Sequence, residues 1–261
     1  MTVTPDGAAH VIWNDGGGVY LSSTSDHGAR WSSPATVNNA GGSSRMASGP
    51  NGELAVRIVP TSASGRGYDE GVNLVAISTD GGATWQKRSL PGHRDWAPPG
   101  VDGGSPRWVE PVAWDTSGGL YVLWTELNRV WLARSRDQGV HWDTWKIAET
   151  DALAYYPYLT ARRSGELAAT WYSGVASELH WEACVIRLSD GAVPQVTRSS
   201  LLTTDSWHMS DAIIKAPVRD TAGEYLAALF LRDGNLVAVS AIKNAPAKRF
   251  GFSLWKFNLP H

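Results

Sequence analysis

Five short apolar segments recur along the chain: His10-Val-Ile-Trp13, Glu53-Leu-Ala-Val-Arg-Ile58, Leu120-Tyr-Val-Leu-Trp124, Glu166-Leu-Ala-Ala-Thr-Trp171 and Glu224-Tyr-Leu-Ala-Ala-Leu-Phe230. Each comes after a turn, at Asp6-Gly7, Asn51-Gly52, Gly118-Gly119, Ser164-Gly165 and Ala222-Gly223. Apolar runs this short, bounded by glycine turns, are strands rather than helices. The pattern around each is the same: an inner strand, the turn, the apolar second strand, a variable loop, a third strand, a second turn and an outer strand. Helical periodicity is absent. Five such units, of about 50 residues each, use up the chain. The predicted boundaries are 1–41, 42–91, 105–150, 153–204 and 207–261, with 92–104 a rim loop. The reading is all-β, a single β-propeller domain of five four-stranded blades. A closed five-bladed ring is the main expectation and a fragment of a larger propeller the alternative.

Composition supports this class and excludes others. The 261 residues include 14 Trp, 27 Gly and 14 Pro, and only 18% are charged, against roughly 25% in an average domain. Aromatics with turn formers favour sheet. A net charge of −2 without a basic block lacks the phosphate-neutralising patch that a nucleic-acid partner requires. The longest apolar runs, Tyr225 to Leu231 with seven residues and Leu236 to Ile242, which Ser240 interrupts, are far below the roughly 20 of a membrane-spanning helix. The single cysteine, Cys184, permits no intrachain disulfide, and no Cys/His spacing suits zinc. No metal or cofactor is expected. No basic-then-apolar leader comes after Met1, so the expected location is cytoplasmic if Met1 is the native start and extracellular if a signal segment has been removed.

Three segments align: Thr24-Ser-Asp-His-Gly-Ala-Arg-Trp31, Ser78-Thr-Asp-Gly-Gly-Ala-Thr-Trp85 and Ser135-Arg-Asp-Gln-Gly-Val-His-Trp142. All read Ser/Thr-x-Asp-x-Gly-x-x-Trp, and a degenerate echo, Arg187-Leu-Ser-Asp-Gly191, holds the corresponding place in a fourth unit. Physically the motif is a turn. The carboxylate accepts backbone N–H groups, the glycine supplies a left-handed backbone, and the tryptophan covers the hairpin. The pattern resembles the Asp-box, or bacterial neuraminidase, repeat of the sialidase superfamily. The resemblance implies that Asp26, Asp80 and Asp137 are structural, on the face away from the ligand. The other reading, catalytic aspartates, is the weaker.

In a propeller, the starts of inner strands and the second-to-third loops form one rim, where a ligand site would sit. The inner-strand starts offer Ser43, Ser44 and Arg45; Arg107, Trp108 and Glu110; Tyr155, Tyr156 and Tyr158; and Trp207, His208 and Asp211. The loops add Arg66, Tyr68, Asp69 and Glu70, then Glu126 and Arg129, while the Gly/Pro-rich stretch from Gly92 to Ser105 carries Trp96. The segment from Glu110-Pro-Val-Ala-Trp114 to Trp124 is similar to the sialidase blade that carries the acidic partner of the nucleophile. The segment from Tyr156-Pro-Tyr-Leu-Thr160 to Trp171 resembles the blade of the nucleophilic tyrosine. The resemblance implies Tyr156 as nucleophile, Glu110 as its proton acceptor, Asp69 or Glu70 as acid/base, and Arg45 as a carboxylate-binding arginine.

The sequence departs from sialidases at definite points. The second arginine position holds Trp124 or a neighbour, with Arg129 and Arg107 the substitutes at hand, and there is no third arginine. The Phe/Tyr-Arg-Ile-Pro signature is missing, and Val56-Arg-Ile-Val-Pro60, on a second strand, is read as a decoy. The Glu and Tyr blades are consecutive, and His208 and Asp211 come after them, outside the family pattern. Three functions compete. The first is a sialidase-like enzyme acting on a carbohydrate or other polar small molecule. The second is a non-hydrolytic isomerase, lyase or cyclase acting on a hydrophobic or cationic metabolite held by Trp108, Tyr155, Tyr156, Tyr158 and Trp207. The third is a sugar-binding lectin, disfavoured because no pocket recurs from unit to unit. The expected partner is a small molecule or glycan, with no nucleic acid and no membrane. Nothing in the sequence indicates an oligomeric state.

Overall fold

The apolar second strands of the second, third and fourth sheets are buried on both faces, and this explains why they read as continuous runs rather than as alternation. In Leu54–Val59 every residue is buried. Leu54, Val56 and Ile58 pack toward the preceding sheet with Val19, Leu21 and Val37. Ala55 points the other way and packs with Val112, Trp114, Leu120, Val122 and Trp124 of the next sheet. The second strand of that sheet repeats the division, because Tyr121 and Leu123 join Leu167, Ala169, Trp171 and Ile186 one sheet further on. The core is therefore a series of layers between neighbouring sheets.

The computed structural model describes residues 1–15, 18–59, 74–91, 110–151, 153–175, 178–202, 228–244 and 249–257. They form antiparallel sheets joined in sequence order. The first is β1 (Thr2–Val3), β2 (Ala9–Asn14), β3 (Val19–Thr24) and β4 (Ala35–Asn38). The second is β5 (Gly42–Ser48), β6 (Leu54–Val59), β7 (Leu74–Ser78) and β8 (Gln86–Ser89). The third is β9 (Val112–Trp114), β10 (Leu120–Glu126), β11 (Arg129–Ser135) and β12 (Asp143–Glu149). The fourth is β13 (Leu153–Ala161), β14 (Glu166–Val175), β15 (Glu178–Arg187) and β16 (Gln195–Leu202). The fifth, β17 (Ala228–Phe230), β18 (Leu236–Asn244) and β19 (Arg249–Phe257), has three strands among the described residues. The first strands of successive sheets pack on one another: β1 on β5, β5 on β9, β9 on β13 and β13 on β17. This is the all-β propeller arrangement expected from the repeat.

One strand assignment is corrected. The repeat makes the segment ending at Phe230 a second strand, but β17 is a first strand. Its turn repeats the first-to-second turns of the other sheets. Leu231 N–H donates to Asn235 O and Gly234 N–H to Leu231 O, as Thr4 does to Ala8 and Gly7 to Thr4 in the first sheet. Among the described residues β17 therefore holds the first-strand place of the fifth sheet, and Leu236–Asn244 the second. Two glycine turns, Ala222-Gly223 and Asp233-Gly234, each stand directly before an apolar run, so the repeat pattern alone does not separate them.

The three Asp-x-Gly motifs are the β3–β4, β7–β8 and β11–β12 turns, and their hydrogen bonds superimpose. The Ser/Thr hydroxyl donates to the carboxylate, at 2.8 Å in Asp26, 2.7 Å in Asp80 and 2.8 Å in Asp137. The N–H four residues on donates to the same oxygen, at 2.9 Å in each turn. The motif glycine N–H returns to the hydroxyl. In the fourth sheet the echo occupies the β15–β16 turn. Its Asp190 is ion-paired with Arg136 of the third sheet, at 2.5 Å.

Candidate functional site

Antiparallel order sorts the loops onto two faces. The first-to-second and third-to-fourth turns, including Asp26, Asp80 and Asp137, lie at one end of the sheets. The starts of the inner strands and the second-to-third turns lie at the other. In this half of the sheets the structure forms two separate contacts, Arg57 with Glu110 and Arg45 with Tyr158.

Strand periodicity places the first pair. Arg57 shares the face of Ala55, the face that packs on the third sheet, and Glu110 stands two residues before β9 of that sheet. The two side chains form an ion pair with side-chain exposures of 3% and 2%. Arg57 also donates to Ile58 O at 2.7 Å and to Leu74 O at 3.2 Å, so the guanidinium is fixed by its own sheet. A charge pair this deep offsets its desolvation only when most of its polar atoms are engaged. Arg57, a decoy by its place in the sequence, is instead the partner of the candidate proton acceptor. A lone charge in the run Leu54–Val59 is the available signal, since a buried charge demands a counter-charge.

Tyr156 occupies a second constrained position. It is 2% exposed and its φ of 48° is left-handed. The β13–β14 register slips between Tyr155, opposite Tyr172, and Tyr158, opposite Thr170. Tyr156 and Pro157 thus face one residue, Trp171, in a bulge. The bulge accommodates a proline, which cannot donate to a ladder. β5 slips in the same way between Ser43 and Arg45. The two bulged strands meet: the Arg45 guanidinium lies 4.9 Å from the Tyr158 ring centroid. This contact joins the inner strands of the second and fourth sheets, which are not neighbours, across the centre of the molecule. Nearby, Trp124 and Trp131 stand directly opposite in β10 and β11 and stack at 6.2 Å with 10° between planes.

Arg129 closes the second-to-third turn at the same end of the third sheet. It is exposed at the start of β11, in register with Glu149 of the outer strand. Asp69, Glu70, Trp96, Arg107, Trp108, Trp207, His208 and Asp211, with Arg66 and Tyr68, lie outside the described residues, and Tyr155 is described by its backbone register alone. Among the described residues no group of three or more His, Cys, Asp or Glu side chains could hold a metal ion.

No family model and no curated protein matches the chain. Solved structures do. A leech intramolecular trans-sialidase, complexed with 2,7-anhydro-Neu5Ac, is similar at a TM-score of 0.54 and 12% identity, over 92% of this chain and 36% of its own. The NanB sialidase of Streptococcus pneumoniae is similar at 0.51 and 12%, over 85% and 32%. An endo-arabinase from Bacteroides thetaiotaomicron gives 0.48 and 9%, over 97% and 90%. The chain spans about a third of the length of the sialidase structures that it matches. With its Asp-x-Gly turns and consecutive antiparallel sheets, the chain has a β-propeller fold like that of the sialidase structures it resembles, at 12% sequence identity.

Proposed function

We propose that the chain is a sialidase-like propeller enzyme whose central funnel performs acid/base chemistry on a carbohydrate or other polar small molecule. The observation that carries this reading is the burial of Glu110 against Arg57 at the start of one inner strand, beside a strand in which Tyr156 is held in a left-handed bulge. Left-handed backbone at a non-glycine residue costs about 1–3 kcal/mol and concentrates at functional sites. In this reading the Tyr156 oxygen attacks the anomeric carbon and Glu110 takes the phenolic proton. Asp69 or Glu70 protonates the departing oxygen, and water then releases the sugar.

Turnover of a panel of fluorogenic glycosides, sialosides included, by the wild type, Glu110→Gln and Tyr156→Phe tests the proposal. Loss of about 10²–10⁴-fold in both variants, the range for removing a general base, is expected. Unchanged turnover in either variant on a proven substrate sinks the assignment.

Arg45 favours a second reading. It faces the Tyr158 ring, and Arg57, opposite it in β6, is engaged by Glu110 rather than left for a substrate carboxylate. A non-hydrolytic enzyme on a hydrophobic or cationic metabolite fits that aromatic lining. A folded protein inert toward every glycoside, yet bound by such a ligand, selects this reading.

A further inference from the structure

A cleft of about 580 Å³ lies on the opposite face, between the third and fourth sheets. Its walls are the β11–β12 turn with the start of β12, and the β15–β16 turn of the next sheet. Arg134, Arg136, Trp142, Asp143, Trp145 and Val193 line it. Both indoles are held in place. Trp142 donates its N–H to Gly139 O at 3.1 Å, and the Arg134 guanidinium lies 5.6 Å from the Trp145 ring centroid. Arg134 is 4% exposed, yet its Nε has no acceptor. Its outer nitrogens reach the exposed carboxylates of Asp143, at 3.3 Å, and Asp190, at 3.6 Å. Val193, 76% exposed, adds an apolar edge.

The charges select the ligand class. An anion would meet the carboxylates of Asp137, Asp143 and Asp190 around the two arginines, and a cation would meet the arginines. Paired hydroxyls are donors and acceptors at once. They match a carboxylate beside a guanidinium, while the C–H face of a sugar ring suits an indole. We propose that this cleft binds a neutral saccharide, independently of the central funnel. The Asp-x-Gly turn of the third sheet serves here as the rigid support of the site, and the degenerate fourth-sheet turn, with Asp190 turned toward Arg136, supplies the far wall.

The test is an array of immobilised neutral, sialylated and uronic-acid oligosaccharides, probed with the wild type, Asp143→Asn and Ala192→Trp. Asp143 and Ala192 are exposed, so both variants are expected to fold, with thermal unfolding as the check. Asp143→Asn removes a charged acceptor and Ala192→Trp fills the cleft. Binding of neutral glycans that weakens about tenfold or more in both folded variants supports the site. Binding confined to acidic glycans, no binding at all, or neutral binding that survives either substitution overturns it. These outcomes are separate from failure of the funnel reading, which is scored on turnover by Glu110→Gln.

Discussion

Arg57 and Glu110 show what one misplaced charge would do in this core. Each is almost fully buried, and each is the other's counter-charge. Arg57→Met removes the guanidinium from the buried carboxylate, and breaking such a pair typically costs about 3–5 kcal/mol. Chemical denaturation of Arg57→Met is expected to show a loss of that size, with most of it recovered in Arg57→Met/Glu110→Leu, where both members of the pair are gone. A double variant as unstable as the single would mean that the two groups do not act as a pair. Cys184 is the opposite case, a reactive group silenced by its surroundings. It is 2% exposed among the apolar side chains between the third and fourth sheets, and burial pushes its thiol up to about 12. The thiolate is the nucleophile. The native protein is therefore expected to resist a disulfide reagent such as DTNB at pH 8 and to release one thiol equivalent once unfolded. Rapid native labelling would show that this layer opens.

At the scale of the element, the motif turns carry their own pH dependence. The Thr84 hydroxyl and N–H, together with the Ser78 hydroxyl, lower the Asp80 carboxyl from 3.8 to about 2. A group depressed in the folded state stabilises it above the unfolded value and loses that contribution as pH falls through the folded one. The difference in Tm between wild type and Asp80→Asn is expected to be full near neutrality and to shrink between about pH 4 and pH 2. A difference that holds steady through that window would show that the charge is idle. Such turns are legible in a sequence because all their partners lie within eight residues. The same locality makes the strands of the first four sheets readable, and it misleads in the fifth, where two glycine turns flank one apolar run. The pairing of Arg57 with Glu110 spans 53 positions. Only the alternation of β6, together with knowledge of which sheet comes next, exposes it. The bulge at Tyr156 is legible only as the proline after it.

Across the whole molecule, sheets are tied to their neighbours by apolar layers and by a few directed polar links. Arg45 over Tyr158 spans the centre, while Asp115 joins the third sheet to the fourth at the other end. Asp115 is 2% exposed and accepts hydrogen bonds from Ser117 N–H and hydroxyl, from Gly119 N–H and from the Tyr121 hydroxyl. Gly165 N–H, in the next sheet's turn, completes the set at 2.9 Å. Burial alone would raise this carboxyl, but the bonds led by Gly165 outweigh it and leave it lowered. Gly165 has no freedom to move aside. Its φ is +66°, and a Cβ there would fall on the Leu188 carbonyl. Asp115→Asn keeps the shape, replaces a charged acceptor by a neutral one, and turns an NH₂ group toward N–H donors that it cannot satisfy. Hydrogen bonds to a charged group contribute about 1.5–3 kcal/mol each, and a buried donor left without an acceptor costs a similar amount. A loss of about 3 kcal/mol is therefore expected in urea unfolding. If the link couples the two sheets within one cooperative unit, the transition remains single with an unchanged m value, because both states still expose the same surface. A second transition would instead identify Asp115 as the point at which the propeller separates into independently unfolding parts.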